Sequence, residues 1–84
     1  MFYVYVLQSL KDGLLYTGVA NNLGERLKEH NLWRVKSTKD RVPVKLIYYE
    51  ACRNRDDALR RERYLKTSYG KRYLRNRLKN YFTG

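Results

Sequence analysis

The 84-residue sequence predicts one small α+β domain, in which strands and amphipathic helices share a core. Two observations carry this prediction. Segments rich in Val, Ile and Tyr are interspersed with segments whose apolar residues recur at helical spacing, so both strands and helices are expected. A chain of this length buries only about 60% of its unfolded surface, which is enough for one core. We therefore expect a single domain over residues 1–84.

The chain is expected to open with a β-hairpin. Residues 2–7 and 14–20 are rich in Val, Tyr and Leu, and the pair Asp12-Gly13 between them tolerates the positive φ that tight turns require. If this pair forms a two-residue turn, one face of the sheet carries Tyr5, Leu7, Tyr16, Gly18 and Ala20. A loop one residue longer would reverse that parity.

A helix and a third strand are expected after the hairpin. Asn22 stands three residues before Glu25, which is typical of a helix N-terminus, and the pattern predicts a helix over residues 22–31. Residues 33–42 are polar and are predicted to be irregular. Residues 44–51 are rich in β-branched and aromatic side chains, which predicts the third strand.

Two more helices are expected in the rest of the chain. Asn54 can cap a helix whose first turn is acidic, and we expect this helix to run to about Ser68. Gly70 is expected to end it. The final helix is indicated by apolar residues at helical spacing, which are Leu74, Leu78 and Tyr81.

The charge of the chain points to a polyanionic partner. The sequence has 19 Lys and Arg against 8 Asp and Glu, a net charge of +11 and a pI of about 10.0. Such a field attracts nucleic acid, although a basic surface that is merely solvated is the alternative. The excess is concentrated in residues 43–84, and the predicted nucleic-acid contacts are Lys66, Lys71, Arg72, Arg75 and Lys79.

Composition also argues against several other classes of protein. The single Cys cannot form an intramolecular disulfide, and one Cys with one His is too few for a structural zinc site. No apolar run approaches the roughly 20 residues of a membrane span, and the chain does not begin with a signal-peptide pattern. We expect a cytoplasmic protein with no membrane partner.

Glu62 is an acidic residue in an unusual position. At 100° per residue it falls on the same side of its predicted helix as Ala58 and Leu65. It is also the only acidic residue in residues 58–84. A carboxylate turned toward the core needs a partner, which could be an arginine such as Arg26 or a Mg²⁺ ion, since Mg²⁺ prefers carboxylate oxygen.

Arg26 and His30 form a second candidate pair. They lie four residues apart on the predicted helix, so they project from neighbouring positions. Glu25 and Glu29 are expected to point away and to leave this pair without a local acidic partner. Arg26 is the stronger candidate, because a guanidinium can hold two phosphate oxygens at once. For His30 the alternative is a histidine at a helix end whose hydrogen bonds are satisfied within the protein.

The order and spacing of these residues resemble the GIY-YIG nuclease family. In that family the tyrosine of one triplet precedes the tyrosine of a second by eleven residues, and an arginine, a histidine and a helical glutamate follow. The matching residues are Tyr5, Tyr16, Arg26, His30 and Glu62. The first triplet reads Tyr-Val-Tyr instead of Gly-Ile-Tyr. The asparagine that some members carry has only two candidate counterparts, Asn76 and Asn80.

The resemblance covers about residues 2–80 and implies a fold and a reaction. The fold is a small three-stranded, mainly antiparallel sheet flanked by helices. The reaction is metal-dependent hydrolysis of nucleic acid with Mg²⁺ or Mn²⁺, with DNA as the favoured substrate and DNA repair or recombination as the context. Tyr16 would accept the proton of the attacking water, and Glu62 would be the metal ligand. Arg26 would neutralise phosphate oxygens, while Tyr5 and His30 would position phosphate or water.

Two other functions are kept open at this stage. One is a nucleic-acid-binding module that has the fold without catalysis. The other is a nuclease subunit that depends on a protein partner for its specificity. Salt-dependent binding without metal-dependent cleavage would favour the first, and cleavage only in the presence of a partner would favour the second.

Overall fold

The computed structural model covers residues 1–84 and contains one three-stranded sheet and four helices. The elements in chain order are β1 (Phe2–Ser9), β2 (Leu15–Ala20), α1 (Leu23–Asn31), β3 (Val44–Cys52), α2 (Arg55–Leu65), α3 (Ser68–Arg77) and α4 (Lys79–Thr83). The strand order is β2-β1-β3, and β1 is antiparallel to both neighbours. The predicted α+β fold with an antiparallel three-stranded sheet is therefore confirmed.

The central strand β1 divides the core into two parts. Because successive side chains of a strand point to opposite faces, Val4 and Val6 lie on one face and Tyr5 and Leu7 on the other. The first pair packs with buried residues of α2 and α3. The second pair packs with α1 and with residues of β2 and β3. Helices therefore cover both faces of the sheet.

The turn between β1 and β2 is longer than predicted. Gln8 pairs with Leu15, and the Ser9 N–H donates to the Leu14 carbonyl, so the loop holds four residues, 10–13. Asp12 and Gly13 therefore do not form a two-residue turn. The side chains of Ser9 and Asp12 accept hydrogen bonds from backbone N–H groups of the turn and stabilise the longer loop.

The change in loop length does not change which residues share a face. The observed loop is two residues longer than the predicted one, and side chains alternate with a period of two, so the parity is kept. Tyr5 stands opposite Gly18, and Leu7 stands opposite Tyr16. The predicted placement of Tyr5 and Tyr16 on one face therefore agrees with the structure.

The predicted helix after the hairpin is present as α1. The Asn22 side chain accepts a hydrogen bond from the Glu25 N–H at 3.1 Å, which is the N-cap that the sequence indicates. The third strand, β3, also lies where it is expected.

The prediction for the helices after β3 was wrong in two places. The helix that begins after Asn54 ends at Leu65, and the Thr67 side chain caps a new helix, α3, by accepting a hydrogen bond from the Gly70 N–H at 3.2 Å.

Gly70 does not end a helix, because it lies in the first turn of α3. A Cβ atom there would overlap the Tyr64 carbonyl oxygen and the Leu65 Cα. This glycine is needed because α3 begins in direct contact with the end of α2. The predicted final helix is likewise divided at Leu78 into α3 and α4.

A polar cluster ties α2 and α3 to β3. Arg61 on α2 donates to both carboxylate oxygens of Glu50, with its Nε 3.0 Å from Oε1 and its Nη2 2.9 Å from Oε2. The Tyr48 hydroxyl donates to Glu50 and also bonds the Tyr73 hydroxyl of α3 at 2.9 Å. Burial alone would raise the pKa of Glu50, but the bonds from Arg61 and Tyr48 lower it overall. This cluster fixes the position of the helix that carries Glu62.

None of the helices is long and apolar enough to cross a lipid bilayer.

The contact at Gly70 gives a stability test. Gly70→Ala should lower the free energy of unfolding by about 2 kcal/mol, because the added methyl group forces α3 away from α2. Urea unfolding followed by circular dichroism measures this change. Gly24→Ala is the matched control, because Gly24 is an exposed helical glycine whose Cβ would meet nothing closer than 3.9 Å. It should be neutral or stabilise the fold by up to about 1 kcal/mol. Equal effects of the two substitutions would contradict the packing argument.

Candidate active site

The structure brings four of the five predicted catalytic residues together on the α1 face of the sheet. The rings of Tyr16 and His30 are 5.1 Å apart between centroids, those of Tyr5 and His30 5.7 Å, and those of Tyr5 and Tyr16 6.3 Å. The strand register produces this cluster, because Tyr5 on β1 and Tyr16 on β2 point to the face that α1 covers. Arg26 lies one turn before His30 on α1.

Gly18 makes room for the Tyr5 side chain. It is the residue of β2 directly opposite Tyr5, and a Cβ atom there would be 2.5 Å from the Tyr5 hydroxyl oxygen. Any side chain at this position would therefore displace the hydroxyl. The glycine allows the tyrosine to extend across β2, one of the two edge strands of the sheet.

Tyr5 is buried and holds its proton at neutral pH. Only 1% of the residue is exposed, and its hydroxyl is 2.9 Å from His30 Nε2. Burial raises the pKa of the phenol. The nearby Tyr16 and Glu62 add to the increase, whereas the Arg26 guanidinium opposes it. Tyr5 is therefore suited to hydrogen bonding and not to accepting a proton.

His30 is fully buried, and both of its ring nitrogens have protein partners. Nε2 bonds the Tyr5 hydroxyl, and Nδ1 lies 2.7 Å from Thr38 Oγ1. Burial, together with the positive charge of Arg26, lowers the pKa of His30 to about 4. The ring is therefore neutral at pH 7. This geometry matches the alternative of a histidine whose hydrogen bonds are satisfied within the protein.

Thr38 is a member of this cluster that the sequence did not indicate. Its side chain is fully buried in the segment between α1 and β3, which the sequence predicts to be irregular. A threonine in such a segment has no periodicity that would mark it as buried. Only the folded path of the segment brings it to His30.

Arg26 has an acidic neighbour, contrary to the prediction. Its Nη1 is 3.5 Å from Glu29 Oε1, because residues three apart on a helix are adjacent on its surface. Both side chains are more than a third exposed, so the pair adds little stability and can be exchanged for another partner. Arg26 also borders an open cleft of about 390 Å³ that contains Arg55 of α2.

Glu62 approaches the cluster from the other helix layer. It lies on α2 between Ala58 and Leu65, both of which are buried against the sheet. Its side chain is 19% exposed and its ion-pair partner is Lys66, whose Nζ is 3.4 Å from Oε2. The predicted alternative of an arginine partner is therefore not what the structure shows. Glu62 is close enough to Tyr5 to raise the pKa of that phenol.

The side chains that could bind a metal ion fit a magnesium site better than a zinc site. No three His, Cys, Asp or Glu side chains anywhere in the structure are placed to hold a metal ion together. Structural zinc sites are built from four Cys or His ligands, and the sequence has one of each. A single, partly exposed carboxylate such as Glu62 is compatible with Mg²⁺, which is often bound through one carboxylate together with waters and substrate phosphates.

The five basic residues predicted to contact nucleic acid do not form one surface. Lys66 and Lys71 line a cleft of about 250 Å³ that also includes Tyr16 on β2. Arg75 lines a neighbouring cleft, and the two clefts share Lys71.

The other two basic residues lie apart from these clefts. The Arg72 guanidinium lies 5.8 Å from the centre of the Tyr69 ring and borders a separate groove. Lys79 is exposed at the start of α4. Helical rotation turns Arg72 away from Lys71, and a break at Leu78 separates Lys79 from α3. Asn76 borders the same groove as Arg72 and not the Tyr16 cleft.

Comparison with known proteins identifies the family whose motif spacing this chain resembles. The family model described as "GIY-YIG catalytic domain" matches residues 1–79. A UPF0213 protein of Clostridium perfringens is 49% identical over 67 residues, which cover 79% of this chain and 71% of the relative. A UPF0213 protein of Staphylococcus aureus is 39% identical over 74 residues, which cover 87% of this chain and 89% of the relative.

Coverage is lower for another relative. A UPF0213 protein of Desulfotalea psychrophila is 42% identical over 67 residues, which are 77% of this chain and 60% of the relative. The chain therefore spans less than two thirds of that protein. No solved structure matches the chain.

The buried histidine gives a test by pH titration. His30 is the only histidine, so its ring resonances can be followed by NMR without ambiguity. We expect a titration midpoint near 4, because charging the ring would place a cation in a buried site beside Arg26. A midpoint near the ordinary histidine value of 6.5 would contradict the geometry.

The same shift predicts how stability depends on pH. The folded-state pKa lies below the unfolded value of 6.5, so the unfolded state takes up the proton first as pH falls. Stability should fall by about 3 kcal/mol between pH 6.5 and 4 from this group alone. In His30→Gln, urea unfolding at the same pH values should show lower stability throughout but a smaller pH dependence.

Proposed function

Because the chain belongs to the GIY-YIG family of nuclease domains, we propose that it hydrolyses phosphodiester bonds of DNA with the help of a divalent metal ion. One observation supports this proposal most strongly. Two tyrosines share one face of the sheet, but Tyr5 is buried and bonded to His30, whereas the Tyr16 hydroxyl has no hydrogen-bond partner in the protein. The Tyr16 hydroxyl is therefore free to contact water or substrate, whereas the Tyr5 hydroxyl is already bonded within the protein.

Tyr16 is proposed to take the proton from the attacking water. A general base must have an oxygen that is free to meet that water, and the Tyr16 hydroxyl meets this condition. Tyr5 does not, because its hydroxyl already bonds His30 and burial raises the pKa of its phenol. Tyr5 and His30 instead position groups around the reaction centre, and His30 acts through Tyr5 without contacting substrate.

Arg26, and a metal ion bound by Glu62, are proposed to stabilise the negative charge of the phosphate. Arg26 can exchange its weak contact with Glu29 for phosphate oxygens, which a guanidinium binds in a two-point geometry. Glu62 would hold the metal ion, which supplies charge stabilisation at the phosphate and at the leaving oxygen when it is bound. Lys66 lies beside Glu62 and would then be free to contact phosphate.

The proposed roles predict the effect of two substitutions. Tyr16→Phe and Glu62→Gln should each lower the rate of metal-dependent DNA nicking at least about 100-fold, since general bases and electrostatic groups contribute on that scale. The affinity for DNA should change little, because neither side chain is needed for the fold or for most phosphate contacts. Nicking of supercoiled and branched DNA with Mg²⁺, Mn²⁺ or EDTA measures the rate, and fluorescence anisotropy measures the affinity.

Controls and alternative outcomes keep this test specific. Tyr49→Phe is the matched control, because Tyr49 is 53% exposed on β3 and its hydroxyl makes no hydrogen bond. It should nick DNA like the wild type. An equal loss of DNA affinity in Tyr16→Phe and Glu62→Gln would argue against catalytic roles. Binding without any cleavage would favour a nucleic-acid-binding module, and cleavage only after a partner protein is added would favour a partner-dependent subunit.

A further inference from the structure

Three cations meet in a cleft that borders the start of β2. The cleft has a volume of about 370 Å³ and is lined by Gly13, Leu14, Leu15, Arg41, Lys71 and Arg75. Arg41 comes from the segment before β3, whereas Lys71 and Arg75 lie one turn apart on α3. Three separate parts of the chain therefore contribute to one basic depression.

The positive charge of this cleft is only partly balanced by the protein. The nearby carboxylate, Asp12, already accepts the Leu14 N–H at 2.9 Å through Oδ1, and its Oδ2 is 3.7 Å from Arg41 Nε. Lys71 and Arg75 have no ion-pair partner in the structure. Like charges that converge without compensation favour the binding of an anion.

Arg41 is held in place before any ligand arrives. Its Nη2 donates to the Leu15 carbonyl at 3.3 Å, and its own carbonyl accepts the Ser9 hydroxyl at 2.6 Å. Its Nε is buried and has no hydrogen-bond partner. A guanidinium that is fixed by the backbone loses less conformational freedom on binding an anion than a mobile one.

The cleft is continuous with the candidate active site. It shares Leu15 and Lys71 with the cleft that includes Tyr16, where Lys66 contacts Glu62. Their lining follows the chain from Gly13 in the β1–β2 turn to Thr17 on β2.

We propose that Arg41, Lys71 and Arg75 form a subsite for a backbone phosphate of the substrate strand, next to the bond that is cut, because their cleft shares Leu15 and Lys71 with the cleft that contains Tyr16. This inference rests on the proposed nuclease function and adds to it a direction: on one side of the cut the strand follows the edge of β2 toward the β1–β2 turn. The subsite contacts phosphate and not bases, so it strengthens binding without selecting a sequence.

Binding measurements test the subsite independently of catalysis. Lys71→Gln and Arg75→Gln are each placed in the Glu62→Gln background, and affinity for a fluorescein-labelled DNA oligonucleotide is measured by anisotropy at several salt concentrations. Each substitution should weaken binding several-fold and lower the slope of log K against log salt by about 1. Arg77→Gln is the control, because Arg77 lies on the same helix and lines neither cleft.

Cleavage kinetics provide a second measurement. Together with the binding measurements, they distinguish failure of the subsite from failure of the proposed nuclease function. In the active enzyme, Arg75→Gln should raise KM and leave kcat nearly unchanged, because Arg75 does not line the cleft that contains Tyr16. Variants that bind DNA and depend on salt like Arg77→Gln would overturn the subsite even if the wild type cuts DNA. Lowered salt slopes with no cleavage by the wild type would support the phosphate contacts and reject the nuclease proposal instead. Arg41→Gln is expected to weaken binding like the other two substitutions. Lys71 and Arg75 decide the test, because both side chains are exposed and their substitution does not disturb the core.

Discussion

The hydrogen-bonded chain from Tyr5 through His30 to Thr38 determines how the parts of this site meet. It joins the central strand β1, the last turn of α1 and the segment before β3, all at buried atoms. Buried polar groups are costly unless every member is paired, so few other arrangements of these three segments are stable. Arg26 lies on the helix that His30 anchors, and Arg41, whose N–H donates to the Thr38 carbonyl, reaches the Leu15 carbonyl of β2.

The free edge of β2 is the second feature that the site depends on. The two helix layers lie on opposite faces of the sheet, so a residue of α1 and a residue of α2 can approach one substrate only around an edge. β2 provides that edge, and Gly18 lets Tyr5 extend toward it. Lys66, which pairs with Glu62, and Lys71 of α3 reach the same edge from the other face. Side chains from both helix layers can therefore meet at one edge of a small sheet.

Much of this arrangement could be predicted from local sequence patterns. The alternation of strand residues placed Tyr5 and Tyr16 on one face, and that result survived an error in loop length because the error was two residues. The break between α2 and α3 could not be predicted, because it depends on a cap by Thr67 and on contact between Gly70 and the preceding helix. The role of Thr38 was equally hidden, since only the tertiary path of its segment buries it.

The pairing of Glu62 with Lys66 explains how a carboxylate can be kept in this basic region. Without a cation nearby, a largely buried carboxylate would be costly. The pair lies within one helix and Lys66 is about half exposed, so the contact is weak and its loss costs little. Glu62 can thus change partners without disturbing α2, which is held by Ala58, Leu65 and the Arg61–Glu50 bonds. On α2, Arg61 therefore forms the ion pair that holds the helix in place, whereas Glu62 forms one that can be broken at little cost.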